Sequence, residues 1–180
     1  MIDELQLVEQ LKSDTDREQA FRELIRLYKE RLYWHIRNIV KSHDDTDDVL
    51  QNTFIKVYKN IDNFKGESQL FSWMYRIATN ESITFINKQA KRLQTTNEEA
   101  QLLAINNLKA DEYFEGDDIQ FKLQKAIATL PQKQQLVFNM KYFDDLKFKE
   151  ISEILETSEG ALKASYHIAV KKIQGYLTKD

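Results

Sequence analysis

Apolar side chains recur at spacings of three and four along most of this chain. Phe21, Leu24, Ile25, Tyr28, Leu32, Ile36 and Ile39 trace one face of a long helix. The polar run Ser42-His43-Asp44-Asp45-Thr46-Asp47-Asp48 interrupts it. Val49, Phe54, Val57, Tyr58 and Ile61 then predict a second helix, capped by Asp45 or Thr46 with acids in its first turn. Gly66 marks the next break. A third helix is predicted from Gln69 to Arg92, with Leu70, Trp73, Met74, Ile77, Ile83 and Ile86 facing inward.

Residues 95–118 lose this regularity. They are polar and acidic with scattered Leu and Ile, which predicts a partly flexible linker holding at most a short helix at Leu102–Leu108. The pattern then sharpens. Leu123, Ile127 and Leu130 predict a helix that ends at Pro131, and Leu136, Val137, Met140 and Phe143 predict the next. A turn at Asp144-Asp145 precedes a short helix through Phe148, Ile151, Ile154 and Leu155. After Glu156-Thr157-Ser158, the residues Leu162, Tyr166, Ala169, Ile173 and Leu177 form the inner face of a last helix. The fold class is all-α: two small helical domains, 1–94 and 119–180, joined by an acidic linker, 95–118.

Composition agrees with this reading. Among 180 residues there are 4 Gly and 1 Pro, too little turn chemistry for a sheet protein. The absence of cysteine excludes disulfides and thiolate metal sites and fits a reducing cytoplasm. The first residues, MIDELQLVEQLKSD, are acidic and amphipathic rather than basic then apolar, so no signal peptide is read there. No apolar run approaches the roughly 20 residues a bilayer requires. The net charge of −3 is unevenly spread. Residues 1–94 balance 15 acids with 15 bases, 95–118 set seven acids against Lys109, and 119–180 carry seven acids and ten lysines. A mildly basic end therefore follows an acidic middle.

Two stretches carry candidate chemistry. FKEISEILETSEGALKASYHIAVKKI reads as short helix, tight turn, longer helix, the plan that places its second helix in the DNA major groove. Lys163, His167 and Lys171 fall one turn apart opposite the apolar stripe, and Gly160 and Ala164 permit close approach. The plain alternative is an amphipathic hairpin with a solvated basic face. FKGESQLFSWMYRIATN, running on to Lys88, Lys91 and Arg92, interleaves rings with bases and amides. That suits single-stranded nucleic acid, whose bases stack on rings while cations follow phosphates. The alternative for Phe71 and Trp73 is core packing. DDTDD lacks the Gly and distal Glu of a calcium loop. His43-Asp44 matches the dipeptide of HD-type phosphohydrolases, but the other histidines, His35 and His167, do not complete that ligand set. No catalytic residue, metal site or cofactor is assigned.

DDTDDVLQNTFIKVYKNI, then FKGESQLFSWMYRIATNESI, an acidic linker, and LPQKQQLVFNMKYFDDLKFKEISEILETSEGALKASYHIAVKKI resemble, in that order, an extracytoplasmic-function (ECF) sigma factor of bacterial RNA polymerase. The resemblance covers about residues 20–92 and 119–177. It implies a first domain like sigma region 2, a second like region 4, and no enzyme activity. It implies that Asp47, Asp48, Val49, Gln51, Phe54 and Lys56 dock on the β′ coiled coil. Phe64, Lys65, Gly66, Glu67, Ser68 and Gln69 would form the loop that captures a base flipped from the −10 element. Trp73, Tyr75, Arg76, Asn80, Lys88, Lys91 and Arg92 would lie on the −10 reading and melting helix. Ser158, Glu159, Ala161, Lys163, Ala164, Tyr166, His167, Lys171 and Lys172 would serve the −35 element, with the domain seated on the β flap. The linker would occupy the RNA exit path. The implied partners are core RNA polymerase, promoter DNA and an anti-sigma factor of the kind that can be membrane-anchored, with no small-molecule substrate. Two departures stand out. Asn87, Lys88 and Gln89 occupy places where the family is often more basic, and so do Ser165, Ile168 and Val170. An ordinary helix-turn-helix regulator acting on duplex DNA without polymerase is the second reading.

Overall fold

The computed structural model describes residues 3–110 and 116–178. The described residues form nine α-helices and two short 3-10 turns, with no strand. The helices are α1 (Glu4–Lys12), α2 (Arg17–Val40), α3 (His43–Asn60), α4 (Leu70–Leu93), α5 (Asn97–Asn106), α6 (Asp118–Ala128), α7 (Gln132–Tyr142), α8 (Phe148–Leu155) and α9 (Glu159–Leu177).

The long helices α2, α3 and α4 pack on one another, and α1 lies across α2. Their buried stripes supply Leu24, Leu32, Ile36, Val49, Val57, Leu70 and Met74. In the last third, α7 and α6 pack on α9, and α8 closes the bundle beside it.

Two boundaries differ from the sequence expectation. The polar run 42–48 is not a break of that length: Ser42 is the cap, its side chain accepting from the Asp45 N–H, and α3 begins at His43. Asp44 and Asp45 sit in the first turn, where the helix dipole favours acids. The helix in the acidic stretch starts earlier than expected, at Asn97. Thr96 and Glu99 cap it reciprocally, each side chain meeting the other's backbone N–H. Asp111, Glu112 and Glu115 of that stretch lie outside the described residues.

The two halves also share one core. Val137, Met140, Leu146, Ile151, Ile154 and Leu162 belong to the same buried cluster as the stripes of α2, α3 and α4. Helix α8 rests on α4, α7 touches α2, and α5 bridges α4 to α6. Polar groups cross the seam as well. His35, fully buried on α2, bonds Asp144 at 2.7 Å through Nδ1 and Thr79 at 2.9 Å through Nε2. Asn139 donates to the Asn38 carbonyl at 3.1 Å, and Lys41 donates to Gln124 Oε1 at 2.6 Å. These bonds satisfy groups that would be costly to bury unpaired.

Candidate nucleic-acid and protein interface

Helix α3 carries polar groups around its open side, with Asp47, Asp48 and Gln51 together and Lys56 at the edge toward α4. Asp47, Asp48, Gln51 and Lys56 are exposed, whereas Val49 and Phe54 are buried beneath them. Burial of those two fixes the rotation of α3 and so aims these groups outward. Lys56 is tied to α4 by an ion pair with Glu81. Beside these groups, a cleft of about 550 Å³ between α2 and α3 is lined by Phe21, Ile25, Phe54, Ile55 and Tyr58, with Gln51 and Lys59 at its edge. Asp47, Asp48 and Lys29 border its continuation. The cleft thus joins apolar side chains to charged ones, Glu18, Arg22 and Lys59.

The segment 64–69 is an exposed loop between a 3-10 turn (Ile61–Asn63) and α4. Gly66 has φ +73, the left-handed region where a side chain would be strained. Lys65, Gly66, Glu67 and Gln69 are exposed and Ser68 is half-buried. Phe64 is 5% exposed and packs at a tilt against Trp73, their ring centres 5.2 Å apart.

On α4 the expected surface residues divide. Asn80, Lys88, Lys91 and Arg92 are exposed, and Trp73 and Arg76 are half-buried. Tyr75 is 1% exposed. Its ring packs on Phe71 at 4.3 Å and His35 at 4.5 Å, and its hydroxyl donates to the Arg31 carbonyl at 3.3 Å. Burial pushes its pKa up. Core partners thus surround both the Phe64 and the Tyr75 rings in this arrangement. Arg76 is engaged by the other half: its guanidinium donates to Glu156 at 3.0 Å and to the Glu153 carbonyl at 2.7 Å.

Helices α8 and α9 form the expected helix-turn-helix. Glu156 ends α8 in the left-handed conformation, and Ser158 caps α9 by accepting from the Ala161 N–H. Leu162, Ala169 and Ile173 are buried. Ser158, Glu159, Ala161, Lys163, Ala164, His167, Lys171 and Lys172 are exposed, spread around the helix outside its buried stripe, with Lys163, His167 and Lys171 one turn apart. Tyr166 is half-buried, with its ring 5.9 Å from that of Phe138 and 6.0 Å from that of Phe148. Lys163 is shared with Glu159 at 3.9 Å, and Lys172 reaches Gln134 at 3.3 Å.

The sequence reading missed α1. Glu4 and Lys12 of that helix touch the two ends of the 64–69 segment: the Leu70 N–H donates to Glu4 Oε1 at 2.9 Å, and Lys12 Nζ donates to the Phe64 carbonyl at 2.6 Å. The available signal was weak: an Asp3 cap and the pair Leu7 and Leu11 one turn apart. Among the described residues, no group of three or more His, Asp or Glu could hold a metal ion, and no helix is long and apolar enough to cross a membrane.

Comparison with known proteins bears on the family and the fold. The sigma-70 region 2 family model matches residues 24–92, and the sigma-70 region 4 model matches residues 120–173. The chain is 31% identical over 164 residues to the ECF RNA polymerase sigma factor SigW of Bacillus subtilis (strain 168), covering 87% of this chain and 86% of that protein. It is 26% identical over 163 residues to the ECF RNA polymerase sigma-E factor of Haemophilus influenzae, covering 86% of each. Among solved structures, CnrH in complex with the cytosolic domain of CnrY aligns with a TM-score of 0.70 at 19% identity, over 97% of this chain and 96% of that one. The sigma factor RpoE in complex with the anti-sigma factor NepR from Bartonella quintana aligns at 0.65 and 18%, over 89% and 98%. At such identities the structural likeness speaks for the fold.

Proposed function

The chain belongs to the ECF sigma factors, and from that membership we propose how its surfaces divide the work of starting transcription. The protein binds core RNA polymerase and directs recognition and melting of promoters. Its partners are core polymerase, promoter DNA and an anti-sigma factor. It acts in the cytoplasm and catalyses no reaction of its own.

Residues 1–94 act as the polymerase-docking and −10 domain, 95–118 as the connecting segment and 119–180 as the −35 domain. Asp47, Asp48, Gln51 and Lys56 meet the β′ coiled coil, with Val49 and Phe54 setting the pitch of α3 from below. Lys65 to Gln69 capture an extruded base: an exposed, glycine-bearing loop lets backbone groups approach a base edge closely. Trp73, Asn80, Lys88, Lys91 and Arg92 follow the unpaired strand along α4. Lys163 and His167 near the start of α9 read base edges, while Lys171 and Lys172 hold phosphates. Arg76 joins the −10 surface once Glu153 and Glu156 release it.

The observation that carries this reading is the coexistence, on one chain, of exposed charges beside an apolar cleft on α3 and an exposed basic side of α9. A duplex-binding regulator needs only the second. The test is a titration of fluorescent chain with purified core polymerase and, separately, with promoter duplex. Saturable binding to core, with weak binding to duplex alone, is expected. Tight, sequence-specific duplex binding with no affinity for core would establish the plain regulator instead.

A further inference from the structure

We propose that α1 is a positioning element for promoter specificity: Glu4 and Lys12 clamp the two ends of the 64–69 loop and set the shape of its base-binding edge. The inference rests on the reading of that loop as the base-capturing segment.

Glu4, Val8 and Lys12 lie four residues apart, on one face of α1. Val8 packs against the core between the two charged groups. Leu7 and Leu11, both buried, fix the rotation of the helix. Two turns separate Glu4 from Lys12, about 12 Å along the axis. At one end, Lys12 Nζ donates to the Phe64 carbonyl at 2.6 Å. At the other, Glu4 Oε1 accepts from the Leu70 N–H at 2.9 Å. The contacts bracket the loop, one on its first residue, Phe64, and one on the first residue of α4, Leu70.

Both contacts meet a need of the local chain. Gln69, the cap residue of α4, makes no side-chain capping bond, so the first N–H groups of α4 lack a local acceptor. Glu4, 66 residues away in sequence, supplies one, and its charge complements the positive end of the helix. The loop itself is polar and exposed and holds Gly66 at φ +73. Gly leaves many backbone states open, so a loop that must present one edge to a base needs restraint from outside. On the connector before the loop, Arg17 bonds the Tyr58 carbonyl at 2.7 Å and Asp62 at 3.1 Å. The approach to the loop is thus held from the start of α2, and its ends from α1. Glu4 and Lys12 are positioning residues: they act on a base only through the loop backbone.

The test uses the full chain with core polymerase and a promoter library randomised across the −10 and −35 elements, sequencing the transcripts. Glu4→Ala, Lys12→Met and the double variant are compared with Glu4→Gln, which keeps an acceptor, and Lys12→Arg, which keeps a donor. Preference at one or two −10 positions should fall about fivefold to tenfold, the scale of one lost helix cap. Preference at −35 and affinity for core should hold, and Glu4→Gln and Lys12→Arg should restore most of the −10 preference. A parallel protein carries a foreign loop in place of residues 65–69. If the foreign loop changes −10 preference while Glu4→Ala and Lys12→Met do not, the clamp is refuted and the reading of the loop stands. Equal losses at −10 and −35, or a matching loss of core affinity, would show that α1 only supports the fold and would also refute the clamp. If even the foreign loop leaves −10 preference unchanged, both ideas fall together.

Discussion

Raising the pH above neutrality should stabilise this protein through Lys41. The residue ends α2 in the left-handed conformation, φ 71, with its side chain turned inward. It is 5% exposed, at the seam where Gln124 of α6 accepts from its Nζ at 2.6 Å. Burial, helped by the nearby positive charge of Arg37, pulls its pKa from 10.5 down to about 7. The sign follows directly. Between about pH 7 and 10.5 the unfolded chain keeps the proton and the folded chain releases it, so stability rises with pH across that window. Below about 7 both states hold the proton and the full cost of burying the charge is present. One proton sets a ceiling of about 1.4 kcal/mol per pH unit. Between about pH 7.5 and 9 the gain is then about 1–2 kcal/mol. Lys41→Met keeps the side-chain length and the backbone conformation but carries no proton, so its stability should lack this component. Urea unfolding at several pH values, followed by the fluorescence of Trp34 and Trp73, measures both proteins. If the two gain equally with pH, or the wild type loses stability relative to Lys41→Met, the buried, depressed lysine is refuted.

Substitutions on the two surfaces and at the buried seam have separate expected outcomes. Asp47→Lys with Asp48→Lys, both exposed, should leave the unfolding midpoint nearly unchanged and weaken core binding about tenfold or more, read by titration; unchanged core affinity would remove α3 from the docking surface. On α9, Lys172→Ala should weaken binding to all −35 sequences alike, while His167→Ala relaxes preference at one or two base pairs, each typically worth about 1–3 kcal/mol. With Lys163, Lys171 and Lys172 as its cations, that face should give a shallow salt slope of about −3 in a duplex titration of the full chain. Asp144→Ala should cost about 2–3 kcal/mol in urea unfolding, because His35 is left buried without its carboxylate; a loss within about 0.5 kcal/mol would mean the seam does not depend on that pair.

The long helices were legible because each buries a continuous stripe: Leu24, Leu32 and Ile36 on α2, and Leu162, Ala169 and Ile173 on α9, repeat at helical spacing and are all buried. The start of α3 was not. Its first turn is polar on every side, and the apolar period begins only at Val49, so Ser42 and the acids after it read as a loop although they form a cap. Helix α1 offers only Leu7 and Leu11 as fully buried anchors, too few to establish a period. The site divided in the same way. Exposed positions such as Asp47, Lys88 and His167 lie opposite the stripes, as the pattern requires. Phe64, Tyr75 and Tyr166 resisted the pattern, because an aromatic ring at the edge of a stripe suits stacking and packing equally. Contacts that join distant segments carry no local signal: His35 and Asp144 are 109 residues apart, and Glu4 and Leu70 are 66 apart.

Transcription in vitro shows whether this chain starts RNA synthesis from promoters. Core polymerase is incubated with this chain and a library of promoter fragments, and the run-off products are sequenced. Transcripts are expected only when the chain is present, from a small subset of fragments that share both a −10 and a −35 motif. Active core polymerase that yields the same products with and without the chain would contradict this expectation.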